Sequence, residues 1–177
     1  MKLHTEKTET LHKELLKEYK SNLVEVEKDN QESFARTFLH NAIYLHNLWF
    51  EQLKGVEVEE QKAPTLIAIL ERRDSDLSTF QKWMGDFANE AKPHGWAIWG
   101  WSYSLKTFVG FPIKGHTDEI PIGVLPLIVI DCWEHAYQLD YGTKFDEYIA
   151  KFWKDLSWDV INIRHEELMS YLGFDIK

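Results

Sequence analysis

Asp131 and His135 stand one helical turn apart in the stretch IVIDCWEHAYQLDY, directly after the apolar residues Ile128, Val129 and Ile130. An acid that follows such a run is expected to be buried, and a buried carboxylate is costly unless it is paired, hydrogen-bonded or bound to a metal. An Asp-x-x-x-His pair directs one oxygen and one nitrogen at a common point, a donor set suited to transition metals. The same aspartate equally suits the cap of the helix that follows it. His12 and His46 each fall on the inward stripe of a helical pattern. One inward histidine is ordinarily a hydrogen-bonded core residue. Two on neighbouring helices, with Asp131 and His135, make a three-histidine, one-aspartate set. That set suits a single iron or manganese ion better than a structural zinc, which recruits cysteines.

The other candidates divide by setting. His116, in the turn KGHTDE just before the apolar run, is placed to return to the pocket where that run ends. His4, His40 and His165 have polar or helix-surface neighbours and are expected to be solvated. His94 precedes Gly95 in a turn and fits either setting. Cys132, beside Asp131, reads as a buried and inert thiol. No phosphate-binding glycine loop, HExxH or G-x-S-x-G motif competes.

The elements that must position these residues follow from periodicity. Leu16, Tyr19, Leu23 and Val26 step by three and four, so a helix is predicted from Thr8 to Lys28, with His12 continuing its stripe. A second amphipathic run spans Phe34 to Leu53, where Leu39, Ala42 or Ile43, His46, and Trp49 or Phe50 share a face. Joined by the short polar KDNQES, the two read as an antiparallel hairpin. Residues 55–63 read as a loop, and Pro64 as the start of a third helix. Ser75 or Ser78 is expected to cap a fourth, LSTFQKWMGDFANEA. From His94 the texture becomes aromatic, β-branched and glycine-punctuated: two strands in HGWAIWGWSYSLKTFVGFPI, a turn in GHTDEIPIG and a third strand in VLPLIVI. Helices return in WEHAYQL, DEYIAKFWKDL and SWDVINIRHEELMSYL. The expected fold is α+β: a helical hairpin domain over residues 1–60, then a C-terminal domain over 61–177 with a small three-stranded antiparallel sheet flanked by helices.

Composition narrows the function. The 177 residues include eight tryptophans and 44% hydrophobic residues, enough for a well-filled core rather than a disordered chain. A net charge of −9 argues against nucleic-acid or acidic-membrane partners, which need clustered Lys and Arg. No apolar run reaches the roughly 20 residues of a membrane span. The first residues lack the apolar core of a secretory signal, and the one cysteine favours a reducing setting, so a cytoplasmic location is expected.

With these residues in hand, the sequence resembles the iron/manganese superoxide dismutases. DCWEHAYQLDY is similar to the family's D-x-W-E-H-A-[YF]-x-L signature. PIGVLPLIVI resembles its approach strand, HGWAIW its aromatic strand, LHNLWFEQL its N-H-x-x-F-W helix segment, and YIAKFWKDLSWDVINIR its C-terminal helices. The likeness runs from His46 to Arg164. It implies disproportionation of superoxide at one iron or manganese ion per chain, with His46, Asp131 and His135 as three of four metal ligands. His116 would occupy the position that hydrogen-bonds the metal's solvent ligand, Tyr19 would be the gateway tyrosine, and Trp96 and Trp133 would wall the pocket. Glu134 would bridge to a metal-ligating histidine of a second subunit, implying a homodimer. Lys144 would lend local positive charge.

The departures lie in the first hairpin and the subunit contact. Aligned without gaps on Tyr19, Leu11 stands at the first ligand position. His12 is preferred, because seven residues from Tyr19 it shares that residue's helical face. Leu15 or Leu16 stands where the family has a gateway histidine, and Gln138 where it has the tyrosine partner. These changes leave a second expectation, a dismutase-like scaffold or assembly subunit with impaired catalysis.

Overall fold

The computed structural model describes residues 2–29, 33–53, 70, 76–117 and 120–173 of the chain. Helices α1 (Glu6–Asp29) and α2 (Ser33–Leu53) pack on each other, as the two amphipathic stripes require. Leu16, Leu39, Ala42, Leu45 and Trp49 are buried along them. Helix α3 (Leu77–Ala91) leads into strands β1 (Gly95–Ser102), β2 (Thr107–Lys114) and β3 (Val124–Asp131). Helices α4 (Glu134–Tyr141), α5 (Phe145–Asp155) and α6 (Trp158–Tyr171) follow. Helices thus precede and follow a three-stranded antiparallel sheet, an α+β architecture. The expected boundary near residue 60, the loop at 55–63 and the start of a helix at Pro64 lie outside the described residues.

β1 is the central strand, in the order β2-β1-β3. It is buried along nearly its whole length, with a register shift between Trp99 and Gly100. Its first residue has to be glycine, since a Cβ on Gly95 would fall 2.1 Å from the carbonyl oxygen of Ile113. That close approach sets the register in which Trp96 faces Ile113 on one side and Asp131 on the other. One buried cluster joins both faces of the sheet, Ile98 and Val129 on one and Trp99, Ile128 and Ile130 on the other, to Phe80, Met84 and Ala88 of α3, Tyr148 and Phe152 of α5, and Trp49 of α2.

Two polar side chains occupy the outer edge of β3. Gln52, fully buried at the end of α2, accepts from the Val129 amide at 3.2 Å and donates back to the Val129 carbonyl, imitating a neighbouring strand. Arg164 of α6 donates to Leu127 O at 2.9 Å and to Leu48 O at 2.7 Å, and pairs with Glu51 at 3.1 Å. An unpaired strand edge is thereby closed within the chain.

Three expectations are corrected. The cap of α3 is Asp76, whose Oδ1 accepts from Thr79 N at 2.7 Å, while Ser78 donates its hydroxyl to the same oxygen. Ser75 lies outside the described residues. His4 and His165 are buried, at 8% and 2% exposure, rather than solvated. His165 shares a stripe with Ile161 and Leu168, four before and three after it, and the charged neighbours in IRHEEL conceal that spacing. His4 is covered because the segment before α1 is tied to α4: Thr5 donates to Asp140 through both its amide and its hydroxyl, and Tyr141 donates to Leu3 O.

Replacing Gln52 by leucine keeps the volume but strands the Val129 amide and carbonyl without a partner. We expect a loss of about 2–4 kcal/mol in urea unfolding. A loss below about 0.5 kcal/mol, the scale of an ordinary surface substitution, would show that the edge does not depend on this contact.

Candidate metal centre

Four elements deliver one donor each to a single point. His12 comes from α1, His46 from α2, Asp131 from the last position of β3, and His135 from the first turn of α4. Their donor atoms all lie within 4.8 Å of one another. Asp131 Oδ2 is the hub, 3.2 Å from His12 Nε2, 3.3 Å from His135 Nε2 and 3.6 Å from His46 Nε2. His12, His46 and Asp131 are buried, and His135 is partly open. Leu11, the alternative to His12, is half exposed.

Asp131 is immobilised by its surroundings. Its Oδ1 accepts from the Trp133 amide at 2.9 Å, its backbone carbonyl accepts from the Tyr148 hydroxyl at 2.6 Å, and its Cα pairs with Trp96 across the sheet. The cap expected of this aspartate is corrected: Trp133 stands at the N-cap of α4 without a side-chain bond, and Asp131 Oδ1 closes the turn before it while Oδ2 faces the histidines.

The donor chemistry fits a cation. Ligand atoms about 2.1 Å from a common ion sit roughly 3.0–3.6 Å apart, the spacing found around Oδ2. His46 holds its Nδ1 2.7 Å from the Ala42 carbonyl, so that nitrogen carries the proton and Nε2 turns a lone pair toward the carboxylate. His135 Nε2 lies 3.3 Å from both His46 Nε2 and Asp131 Oδ2, so a proton there serves only one of the two well, whereas a cation between them serves both.

Burial opposes charge on Asp131, yet His135 and His12 beside it hold its carboxyl well below the usual range. Burial lowers His12 and brings His46 down to about 3, so their imidazoles are neutral at physiological pH. Divalent and trivalent iron or manganese accept such N and O donors.

Around the donors lies an aromatic wall. Trp133 stacks on His116 and on His135, with ring centroids 5.0 and 5.9 Å apart. Trp96 packs on His46 at 5.0 Å. Tyr19, half-buried, lies 5.5 Å from the His46 ring and 6.0 Å from His116. Trp96 donates its indole N–H to His116 Nδ1 at 3.2 Å, so the His116 proton resides on Nε2, which is buried without a partner among the described residues. His116 is brought down to about 4 by burial.

Sequence reasoning missed Asn41, which holds the His116 carbonyl at 2.7 Å, as well as Phe38, Phe50 and Tyr148. Asn41 and Tyr148 make backbone contacts with residues far away in the chain, and no local pattern signals those. Lys144 forms an exposed pair with Glu147 at 3.0 Å. His40 and His94 are exposed. Among the described residues, no helix is long and apolar enough to cross a membrane.

Comparison with known proteins accords with this geometry. Residues 62–164 match the family model for the C-terminal domain of iron/manganese superoxide dismutases. The chain belongs to that family. It is 33% identical over 134 residues to an iron superoxide dismutase of Aquifex aeolicus, covering 75% of this chain and 61% of that protein. A manganese superoxide dismutase of Mycolicibacterium smegmatis is 27% identical over 122 residues, covering 67% and 57%. One from Haloarcula marismortui is 28% identical over 132 residues, covering 72% and 62%. The chain thus spans about three-fifths of the length of these curated relatives.

The pH dependence of the metal-free protein follows from the buried imidazoles. In the unfolded chain His46 and His116 titrate near 6.5, whereas in the fold they do so at about 3 and about 4. Between those values the unfolded chain binds protons that the native state refuses. Stability is therefore fully present above pH 6.5 and declines as pH falls toward 4, by up to about 1.4 kcal/mol per unit for each group. Urea unfolding of the metal-stripped protein should show about 2–4 kcal/mol less stability at pH 5 than at pH 7. Equal stability at the two values would contradict neutral burial of these rings.

Proposed function

We propose that the protein is a superoxide dismutase with one iron or manganese ion per chain, ligated by His12, His46, Asp131 and His135. The observation that carries this reading is the convergence of those four donor atoms within 4.8 Å. The net reaction consumes two superoxide anions and two protons and yields one dioxygen and one hydrogen peroxide. When bound, the metal supplies the one-electron chemistry by alternating between adjacent oxidation states. This chain's residues hold it, exclude bulk water and keep protons in place. Because Trp96 occupies Nδ1 of His116, its Nε2–H has no partner among the described residues and is the donor we assign to the metal's solvent ligand. Tyr19, raised to about 12 chiefly by burial, keeps its hydroxyl proton and stands between His46 and His116 as a donor. Trp133 closes the side of the pocket next to His135.

The substrate is small and anionic, so the acidity of the chain as a whole does not oppose it if the potential at the pocket is local. In the homodimer we propose, Glu134, exposed at the start of α4, meets the second copy beside that copy's metal-ligating histidine. A reducing, cytoplasmic setting suits the buried Cys132 thiol, and neither nucleic acid nor a membrane is needed as partner.

A second reading, a dismutase-like scaffold with weakened catalysis, draws on the subunit side. Leu15 or Leu16 stands where the resemblance implies a gateway histidine, and the exposed Gln138 where it implies the tyrosine partner.

Purified protein, stripped and reloaded separately with iron and with manganese, distinguishes the two. Dismutation with either metal supports the enzyme, whereas stoichiometric metal without activity favours the scaffold. Asp131→Ala should lose metal retention while keeping most of its helical circular dichroism. Unaltered metal content in that variant would remove Asp131 from the ligand set.

A further inference from the structure

His116 lies in the turn after β2, beyond the last paired residues Gly95 and Lys114, so the ladder of the sheet does not hold it. Its ring is fixed from three sides. Trp96 donates to Nδ1 at 3.2 Å, Trp133 stacks at 5.0 Å, and Phe38 of α2 meets it edge to face at 4.7 Å. Its main chain is held by Asn41, also of α2, which donates its side-chain N–H to the His116 carbonyl at 2.7 Å. The next residue, Ala42, holds His46 Nδ1 with its own carbonyl at 2.7 Å. One turn of α2 thus grips a metal ligand through Ala42 and the solvent ligand's donor through Asn41.

Packing alone does not fix that turn. A cavity of about 180 Å³ lies against Asn41 and is lined by Leu45, Ile113, Ile120 and Pro121, among others. Ile113 and Ile120 bracket the turn in sequence, so apolar contact leaves it room to shift on that side. An amide on such a wall costs the fold unless it is hydrogen-bonded. The bond Asn41 makes is to the residue whose Nε2–H is buried without a partner among the described residues. A donor to a metal's solvent ligand tunes the ion only when it stands within about 0.5 Å of its productive place.

We propose that Asn41 is a positioning residue for the metal centre: by holding the His116 carbonyl to α2, it sets where His116 Nε2–H stands relative to the ion that His46 ligates. The inference rests on the reading of His116 as donor to the metal's solvent ligand.

The test compares Asn41→Leu, Asn41→Asp and Asn41→Gln with Asp76→Ala, which removes the cap of α3 and with it contacts to Ser78 and Thr79 only. Each is loaded with manganese(II), and the readouts are the electron paramagnetic resonance and midpoint potential of the bound ion, dismutation and melting temperature. Asn41→Leu and Asn41→Asp, which cannot donate, should keep manganese, shift the spectrum and the potential, and lower dismutation about 10–100-fold. Asn41→Gln keeps the donor, and the cavity has room for its extra methylene, so it should recover most of these values. Asp76→Ala should lower the melting temperature with wild-type spectrum and potential. Wild-type spectrum and potential in Asn41→Leu would overturn the proposal. So would equal shifts in all four variants, because lost stability alone would explain them. Loss of manganese from Asn41→Leu would place its effect on the ligands and overturn it too.

Nitrogen NMR of the metal-free protein, labelled at histidine, reads the placement without the ion. In Asn41→Leu the His116 Nε2 resonance should move and its proton should exchange faster with water, and an unchanged signal contradicts the proposal. The underlying reading is tested separately with His116→Leu. If that variant keeps the wild-type manganese spectrum and potential, His116 is not the donor and the inference fails with it. If it changes both while Asn41→Leu changes neither, the inference alone fails.

Discussion

The structure is organised around one buried anion. Asp131 is fully inaccessible at the end of the innermost apolar run, where an uncompensated carboxylate would cost several kcal/mol. Its backbone is committed to the sheet and to Tyr148, and one oxygen to the turn into α4. The remaining oxygen must be stabilised from outside the sheet, which is why helices distant in sequence converge on it. The compensation that neutral histidines offer is incomplete. The tautomer imposed on His46 by the Ala42 carbonyl leaves a lone pair opposing the carboxylate. Such a cluster gains most from a cation at its centre, so folding and metal affinity are coupled through the same few atoms.

Rigidity behind the donors follows from how the sheet is closed. β3 would otherwise offer an open edge, yet Gln52 and Arg164 occupy it with side chains from α2 and α6. Gln52 lies on the helix that carries His46, and Val129 two residues before Asp131. The contact that protects the edge therefore also fixes the separation of two donors. On the far side, Trp49 stacks on Phe152 at 5.2 Å, which joins α2 to α5 beneath the site. Preorganisation of this kind lets a site hold its geometry whether or not the ion is present.

Residues near each other in sequence were legible, and residues joined only by the fold were not. The Asp131–His135 spacing, the β-branched and aromatic strands and the two amphipathic helices could all be read from local periodicity. Periodicity also prefers His12 to Leu11, since the face shared with Tyr19 outweighs an ungapped register, and the fold leaves Leu11 half exposed. His4 was misjudged because its burial depends on Thr5, Leu3 and residues of α4 more than a hundred positions away. His165 was misjudged for a different reason: the charges flanking it masked a regular inward stripe. Asn41 and Tyr148 act on backbone carbonyls of distant segments, and such contacts leave no trace in spacing. Asp76 displaced the expected serine caps because a carboxylate can accept from both an amide and a hydroxyl at once.

The pocket and its rim differ in what they ask of the chain. Burying His12, His46, His116 and Asp131 together lowers stability unless something is gained at the centre they surround, so a purely structural role gives no account of them. Leu15, Leu16 and Gln138 need no such account, since leucines between helices and an exposed glutamine suit any helix pair. Leucine and glutamine at those positions cost the fold nothing, whereas the costly polar burial gathers where the four donors meet. That asymmetry favours the enzyme over the scaffold.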